Sequence, residues 1–266
     1  MLPYKCDVFD LPGLSWTPSE VRDMVIELRS LASTCFPSLP DYQCLSLSNL
    51  RCLDDKVLVV ARCWDTNEIV AFTSAVYYEV PDVGTVLHTG LTCVHPSVRR
   101  SGFTSFLFSH LIPHVLKSYP SGIWMSNLSE IPCTLVGILS ITSHVFPSLL
   151  EPFPSPTHVL IAKTLTSSYR HHINAPPEAT LDASTFVFKD SRPPGSPFRT
   201  NPFDPDLQHR KKVENEYYRS MLKKEGGDDV LQVAFLDPLK VAKSIQARRT
   251  TVTHSIPEDT FMSAKL

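Results

Sequence analysis

Residues 91–108 (LTCVHPSVRRSGFTSFLF) constrain this chain more than any other stretch. They read as an apolar strand, a turn of basic and small residues, and the start of an amphipathic helix. A strand that feeds a helix through so short a turn leaves the first-turn amides without partners, with the positive end of the helix dipole behind them. Gly102 lets the backbone approach a bound group closely, Thr104 and Ser105 add little bulk, and Arg99 and Arg100 add charge. The expected occupant is an anion, and a pyrophosphate suits the pocket. The plain alternative is a turn with solvated arginines in which Gly102 only starts a helix.

Neither the three-glycine dinucleotide fingerprint nor the Gly-Lys-Ser/Thr of a P-loop occurs here. Before the turn, residues 56–63, 69–78 and 85–94 form three apolar runs joined by the short polar turns Asp65-Thr66-Asn67-Glu68 and Pro81-Asp82-Val83-Gly84, which predicts an antiparallel meander. Upstream, Thr17-Pro18-Ser19-Glu20 offers a helix cap, and Val21, Met24, Val25, Leu28 and Leu31 recur at helical spacing. Downstream the pattern predicts a helix over 103–116, interrupted at Pro113, a short strand over 123–126, a helix over 131–146 and a strand over 158–165.

Within this succession, the order Val94, Pro96, Arg99, Gly102, Thr104 resembles the acyl-CoA signature of the GNAT superfamily of N-acyltransferases, Arg/Gln-x-x-Gly-x-Gly/Ala preceded by Val-x-Pro. The resemblance covers residues 10–165 and implies an α/β (α+β) fold, a mixed, mostly antiparallel sheet flanked by helices. It also implies acetyl-CoA or another acyl-CoA as co-substrate and transfer to a primary amine by direct attack in a ternary complex. Arg99, Arg100, Ser101, Gly102, Phe103, Thr104 and Ser105 would then cradle the pyrophosphate. The backbone at Cys93 and Val94 would bind the pantetheine amides, and Asn127 would lie against the cofactor arm.

In family members that draw a base from the strand before the motif, it lies about eleven residues ahead of the signature Arg/Gln. That position here is His88, with Glu79 at the end of the preceding strand as second candidate. An imidazole with an ordinary pKa near ~6.5 needs little tuning for the task. The bland readings are a water-satisfied strand histidine, a solvated turn carboxylate and, for Cys93, a small core residue. The chain departs from the family pattern twice. Thr104 stands where Gly or Ala is usual and narrows the turn, and no Tyr occurs from Pro120 to Ser168, where a tyrosine often protonates the leaving thiolate. Ser140, Ser143 or His144 could substitute, or the thiolate could leave unaided. A non-catalytic acyl-CoA-binding or interaction module is therefore the rival reading.

The 266 residues, 42% apolar and 20% charged, suffice for one sizeable core with an extension or for two small domains. A formal net charge of -2, with basic residues only in pairs or the triple Arg210-Lys211-Lys212, argues against an extended nucleic-acid surface and favours a small-molecule amine acceptor. The seven cysteines show no Cys-x-x-Cys spacing, so reduced thiols are expected, with no disulfide framework. No metal is expected either, and His171-His172 reads as loop surface. No apolar run reaches membrane-spanning length and no secretory signal opens the sequence.

Beyond Leu165 prolines cluster and the texture changes. Strands are expected over 185–189 and 229–237, a helix capped by Asp206 that ends at Gly226-Gly227, and a helix over 238–246. The expected organisation is a 1–165 acyl-CoA-binding domain, a 166–249 α/β extension packing on it (alternatively a small separate domain), and a 250–266 flexible tail. The tail ends in Ala264-Lys265-Leu266, a near match to the Ser-Lys-Leu peroxisomal signal. A peroxisomal import receptor is thus an expected partner, and the location is peroxisomal or otherwise cytoplasmic.

Overall fold

The computed structural model describes residues 4–253; the Ala264-Lys265-Leu266 ending lies outside them. Along the chain run β1 (Tyr4–Asp10), α1 (Pro18–Ala32), β2 (Lys56–Cys63), β3 (Ile69–Val80), β4 (Gly84–Val94), α2 (Phe103–Ser118), β5 (Ile123–Ser129), α3 (Pro132–Gly137), β6 (Thr142–Phe146), α4 (Pro156–Ser168), β7 (Thr180–Leu181), β8 (Val187–Lys189), α5 (Lys212–Met221), β9 (Asp229–Leu236) and α6 (Pro238–Thr253). The strands make one sheet in the order β1-β2-β3-β4-β5-β9-β8-β7, with β6 also on β9. Every pairing is antiparallel except β4 with β5. The fold is the mixed, mostly antiparallel α/β sheet flanked by helices that the sequence predicts.

Alternation along the strands divides the core into two layers. Val57, Val59, Ala71 and Leu87 face α2, which contributes Leu107, Leu111 and Val115. Leu58, Val60 and Phe72 face the other way, toward Val25, Leu28 and Leu31 of α1, and farther along that face Tyr78, Val86 and Val233 meet Ile161 and Leu165 of α4. Pro18 opens α1, the Thr17 hydroxyl accepts the Glu20 N–H, and the Glu20 carboxylate accepts the Thr17 N–H at 2.7 Å. A cap of this kind contributes about 1 kcal/mol.

Several expected elements are corrected. Residues 158–165 form the body of helix α4, not a strand. Ser155 caps the helix and His158 takes the third-position role, its Nδ1 accepting the Ser155 N–H at 3.0 Å, so a histidine completes a box usually closed by Glu or Gln. Residues 131–146 are not one helix: α3 gives way to a 3-10 turn and then to β6, whose Thr142 and Phe146 pair with Leu236 and Val233. Tyr4–Asp10, unmarked by turn signals, adds an edge strand on β2. Asp206 sits in a 3-10 turn capped by Asp204, and the helix starts only at Lys212.

Three histidines are buried in the neutral form. Burial, then His172, Arg192 and Lys56, pushes His88 down to about 3; burial, then Lys56 and His171, takes His172 to about 4, against an ordinary 6.5. Burial also lowers His158, whose Nε2–H donates to the His144 carbonyl at 2.7 Å. Because these folded values are depressed, their stabilisation is complete above about pH 6.5 and is lost as pH falls toward about 4. Each proton taken up only on unfolding removes about 1.4 kcal/mol per pH unit. Urea midpoints should therefore drop steadily from pH 7 to pH 5 at constant slope m; a flat profile over that interval would contradict this account.

Candidate functional site

Strand β4 keeps β5 as its parallel neighbour only from Val86 to Thr89, opposite Trp124 to Asn127. Beyond that point β4 runs on to Val94 paired with β3 alone, and β5 runs on to Ser129 paired with β9 alone. The cause is a bulge. Ala75 faces Thr89 and Thr73 faces Thr92, so β4 carries one more residue than β3 between these pairs and bends away. Gly90 lies in the bulge, and a Cβ there would overlap the side-chain amide of Gln43. That amide is held in place: its Nε2 donates to the Tyr42 hydroxyl (2.7 Å) and the His172 carbonyl (2.8 Å), and Ser74 Oγ donates to its Oε1 (3.0 Å).

At the far end of β4 the turn into α2 is built on two positive-φ residues. Arg100 and Gly102 adopt positive φ (64° and 87°) on either side of Ser101, curling successive amides into a concavity. Gly102 is the N-cap of α2, no side chain caps the helix, and its first turn holds no acid. Nothing lies within 4 Å of a Cβ built on Gly102, and Arg99, Arg100, Ser101, Thr104 and Ser105 are exposed. Phe103 is buried and anchors the turn, edge-on to Tyr4 (4.8 Å) and Phe106 (5.9 Å). Arg99 Nε donates to the Val94 carbonyl at 3.2 Å, and the Cys35 thiol reaches the same oxygen at 3.4 Å. The Cys93 thiol, with Thr34 and Arg99, favours the Cys35 thiolate and brings its pKa to about 5. Cys93 itself is buried.

Asn127 stands where β4 and β5 part. It is 2% exposed, its Nδ2 donates to Gln232 Oε1 at 3.3 Å, and its Oδ1 is buried without a partner. Behind it runs a chain of polar groups: Gln232 Nε2 donates to the Tyr218 hydroxyl (2.5 Å), which donates to the Pro147 carbonyl (2.9 Å). A buried, orphaned acceptor beside an opening between strands is chemically prepared for an N–H donor.

His88 lies one strand over and on the other face, 2% exposed, its Nδ1 3.0 Å from Ser126 Oγ, which is 3.1 Å from the Tyr78 hydroxyl. Glu79 is not brought to His88. It pairs with Thr85 at the opposite end of β4, on the opposite face, and accepts the Thr85 hydroxyl at 2.6 Å. There it lines an acidic cavity of about 390 Å³ with Asp10, Asp54, Asp55, Tyr77 and Tyr119. Among the described residues no group of three or more His, Cys, Asp or Glu side chains is arranged to hold a metal, and no helix is long and apolar enough to cross a membrane.

The sequence reading did not single out Gln43, Ser126, Tyr218 or Gln232. Their partners come from other elements, and only the packing of the sheet, the 3-10 turn that holds Gln43 and helix α5 brings them together. His171 and His172, read as loop surface, line a second cavity of about 290 Å³ with Tyr42, Gln43, Lys56 and Asn174; His172 is itself buried.

No protein-family model matches the chain, and no curated protein matches it. Solved structures similar in part include ElaA of Escherichia coli (14% identity, 51% of this chain and 85% of that one, TM-score 0.36). An aminoglycoside acetyltransferase, meta-AAC0020 from an uncultured soil metagenomic sample, is 15% identical over 44% of this chain and 72% of its own, with TM-score 0.30. A predicted acetyltransferase with acetyl-CoA from Clostridium acetobutylicum is 15% identical over 44% and 75%, with TM-score 0.31.

The bulge can be tested directly. Gly90→Ala should force the Gln43 amide out of its three hydrogen bonds and cost roughly 1–3 kcal/mol, the price of leaving buried polar groups unmatched. Chemical denaturation measures this; an unchanged midpoint would show that the Gln43 contact does not shape the bulge.

Proposed function

We propose that this protein is an acyl-CoA-dependent N-acyltransferase acting on a primary amine of a small molecule. The observation that carries the reading is the parting of β4 from β5 beyond Thr89 and Asn127, in line with the uncapped start of α2. A ligand with a diphosphate at one end and an amide-bearing arm at the other matches this arrangement. The diphosphate would lie on the amides and arginines of residues 99–105, and the arm would run into the opening past Cys93 and Val94, offering an N–H to Asn127 Oδ1.

The acyl-CoA supplies an activated thioester, and the protein's part is to orient it, to leave the amine unprotonated and to dispose of a proton. His88 is the proposed acceptor of that proton, a role that requires the bound amine and acyl-CoA to offset the burial and the Arg192 and Lys56 charges that hold the resting imidazole at about 3. Ser126 Oγ, itself bonded to the Tyr78 hydroxyl, can accept the Nδ1–H of the ring, which would leave the Nε2 lone pair to take the proton. Glu79, on the other face, is left as the weaker candidate. Because His88 is so closed off, the second reading, an acyl-CoA-binding module without turnover, keeps a specific observation in its favour.

Calorimetric titration with acetyl-CoA, CoA and a longer acyl-CoA tests both. Micromolar binding is expected, reduced at least roughly tenfold by the paired change Arg99→Ala and Gly102→Asp, the weight of one charge-assisted hydrogen bond. His88→Ala should keep binding and abolish thiol release in an amine screen. Binding unaffected by the paired change would refute the site, and binding without thiol release from any amine would select the non-catalytic reading.

We further propose that Ala264-Lys265-Leu266 addresses the chain to peroxisomes. A fluorescent fusion lacking these three residues should become diffuse in the cytosol; an unchanged punctate pattern would refute the address.

A further inference from the structure

We infer that residues 196–207 form a strap across the opening between β4 and β5, and that the phosphates of the ligand must displace it to enter. This rests on the acyl-CoA reading above and adds a gate to it.

Besides Arg199, which donates to the Arg192 and Glu225 carbonyls, and Phe203, which lies under the Arg219 guanidinium, the strap has three fastenings that each belong to a different side of the opening. Phe198 sits edge-on between Phe36 (5.4 Å) and Tyr42 (5.5 Å), under the Arg192 guanidinium at 5.2 Å, and packs on the cluster to which the parted half of β4 contributes Leu91 and Cys93. The Thr200 N–H donates to the carboxylate of Glu130, the residue immediately after β5; the Gly227 N–H holds the other carboxylate oxygen at 3.0 Å. Asp206 forms an ion pair with Arg100, in the turn between β4 and α2. A segment tied to the end of one parted strand, the end of the other and the anion turn spans the mouth between them.

The fastenings differ in strength, and the order matters. Phe198 and Glu130 are held by packing and by buried hydrogen bonds, whereas both partners of the Arg100–Asp206 pair are more than half exposed. The contact nearest the anion cradle is therefore the weakest. Arg100 cannot give the same guanidinium face to Asp206 and to a phosphate, and a phosphate dianion brings more charge than one carboxylate. Between the anchors, Pro197, Pro202 and Pro205 with the turns at Ser196–Arg199, Asn201–Asp204 and Asp204–Leu207 keep the segment free of ladder hydrogen bonds to the sheet. It can lift without unpairing a strand.

Hydrogen exchange of the full chain with and without saturating CoA, together with calorimetry on wild type and Asp206→Asn, tests this. Peptides covering 201–207, at the end fastened by Asp206, should exchange faster with CoA bound while β9 is unchanged. Asp206→Asn should bind CoA roughly two- to five-fold tighter, the weight of an exposed ion pair. Exchange in the strap that is unchanged or slowed by bound CoA overturns the inference, as does an unaltered Kd in the variant; in either case the acyl-CoA site itself stands. Failure of both proteins to bind CoA removes the acyl-CoA reading and the strap with it.

Discussion

Everything distinctive about this molecule depends on a failure of strand pairing. Two parallel strands side by side would share hydrogen bonds to their ends and leave no room between them, yet β4 and β5 do so over four residues only. The extra residue at the Gly90 bulge turns β4 outward, and the fixed amide of Gln43 occupies the space where a side chain would be. The backbone of β4 from Leu91 onward therefore has no strand neighbour on the β5 side. Backbone polar groups in such a position find partners in side chains, as the Val94 carbonyl does in Arg99 and Cys35, in solvent or in a bound molecule. The opening beside Asn127 follows from that bend.

The two faces of the sheet then take different chemical characters. On the face of α2 and α3, Asn127 leads a chain of amide and hydroxyl groups to Tyr218, a tyrosine that comes from the far C-terminal helix α5. On the face of α1 and α4, His88 is surrounded by groups that discourage its protonation.

Much of the fold was legible because local signals and tertiary packing agree. The meander reads from its apolar runs and two polar turns, and α1 from Thr17, Pro18 and Glu20, whose cap forms as the spacing implies. The turn at 99–102 was legible because glycine and small residues at a strand-to-helix junction leave few other conformations. Local reading failed where tertiary pairing decides. In residues 158–165 the β-branched residues suggested a strand, but Ser155, Pro156 and the unusual capping histidine start a helix. In 142–146 the apolar period continued that of α3, while β9 was available to pair. For the candidate site, the sequence could name the turn, His88 and Asn127 as candidates but not Gln43, Ser126 or Gln232, since nothing local distinguishes a buried amide that supports a bulge from one that faces water.

Strand β9 has a wider consequence for how the molecule comes into being. It lies between β5 on one side and β6 and β8 on the other, yet it is among the last segments of the described chain to be made. During synthesis β5 waits with an open edge for more than a hundred residues, and the sheet has no finished middle until Asp229–Leu236 arrives. The nascent chain therefore carries an unpaired strand edge through the making of about a hundred residues. Closure of the sheet is a late, long-range event that couples the middle of the sequence to its C-terminal part.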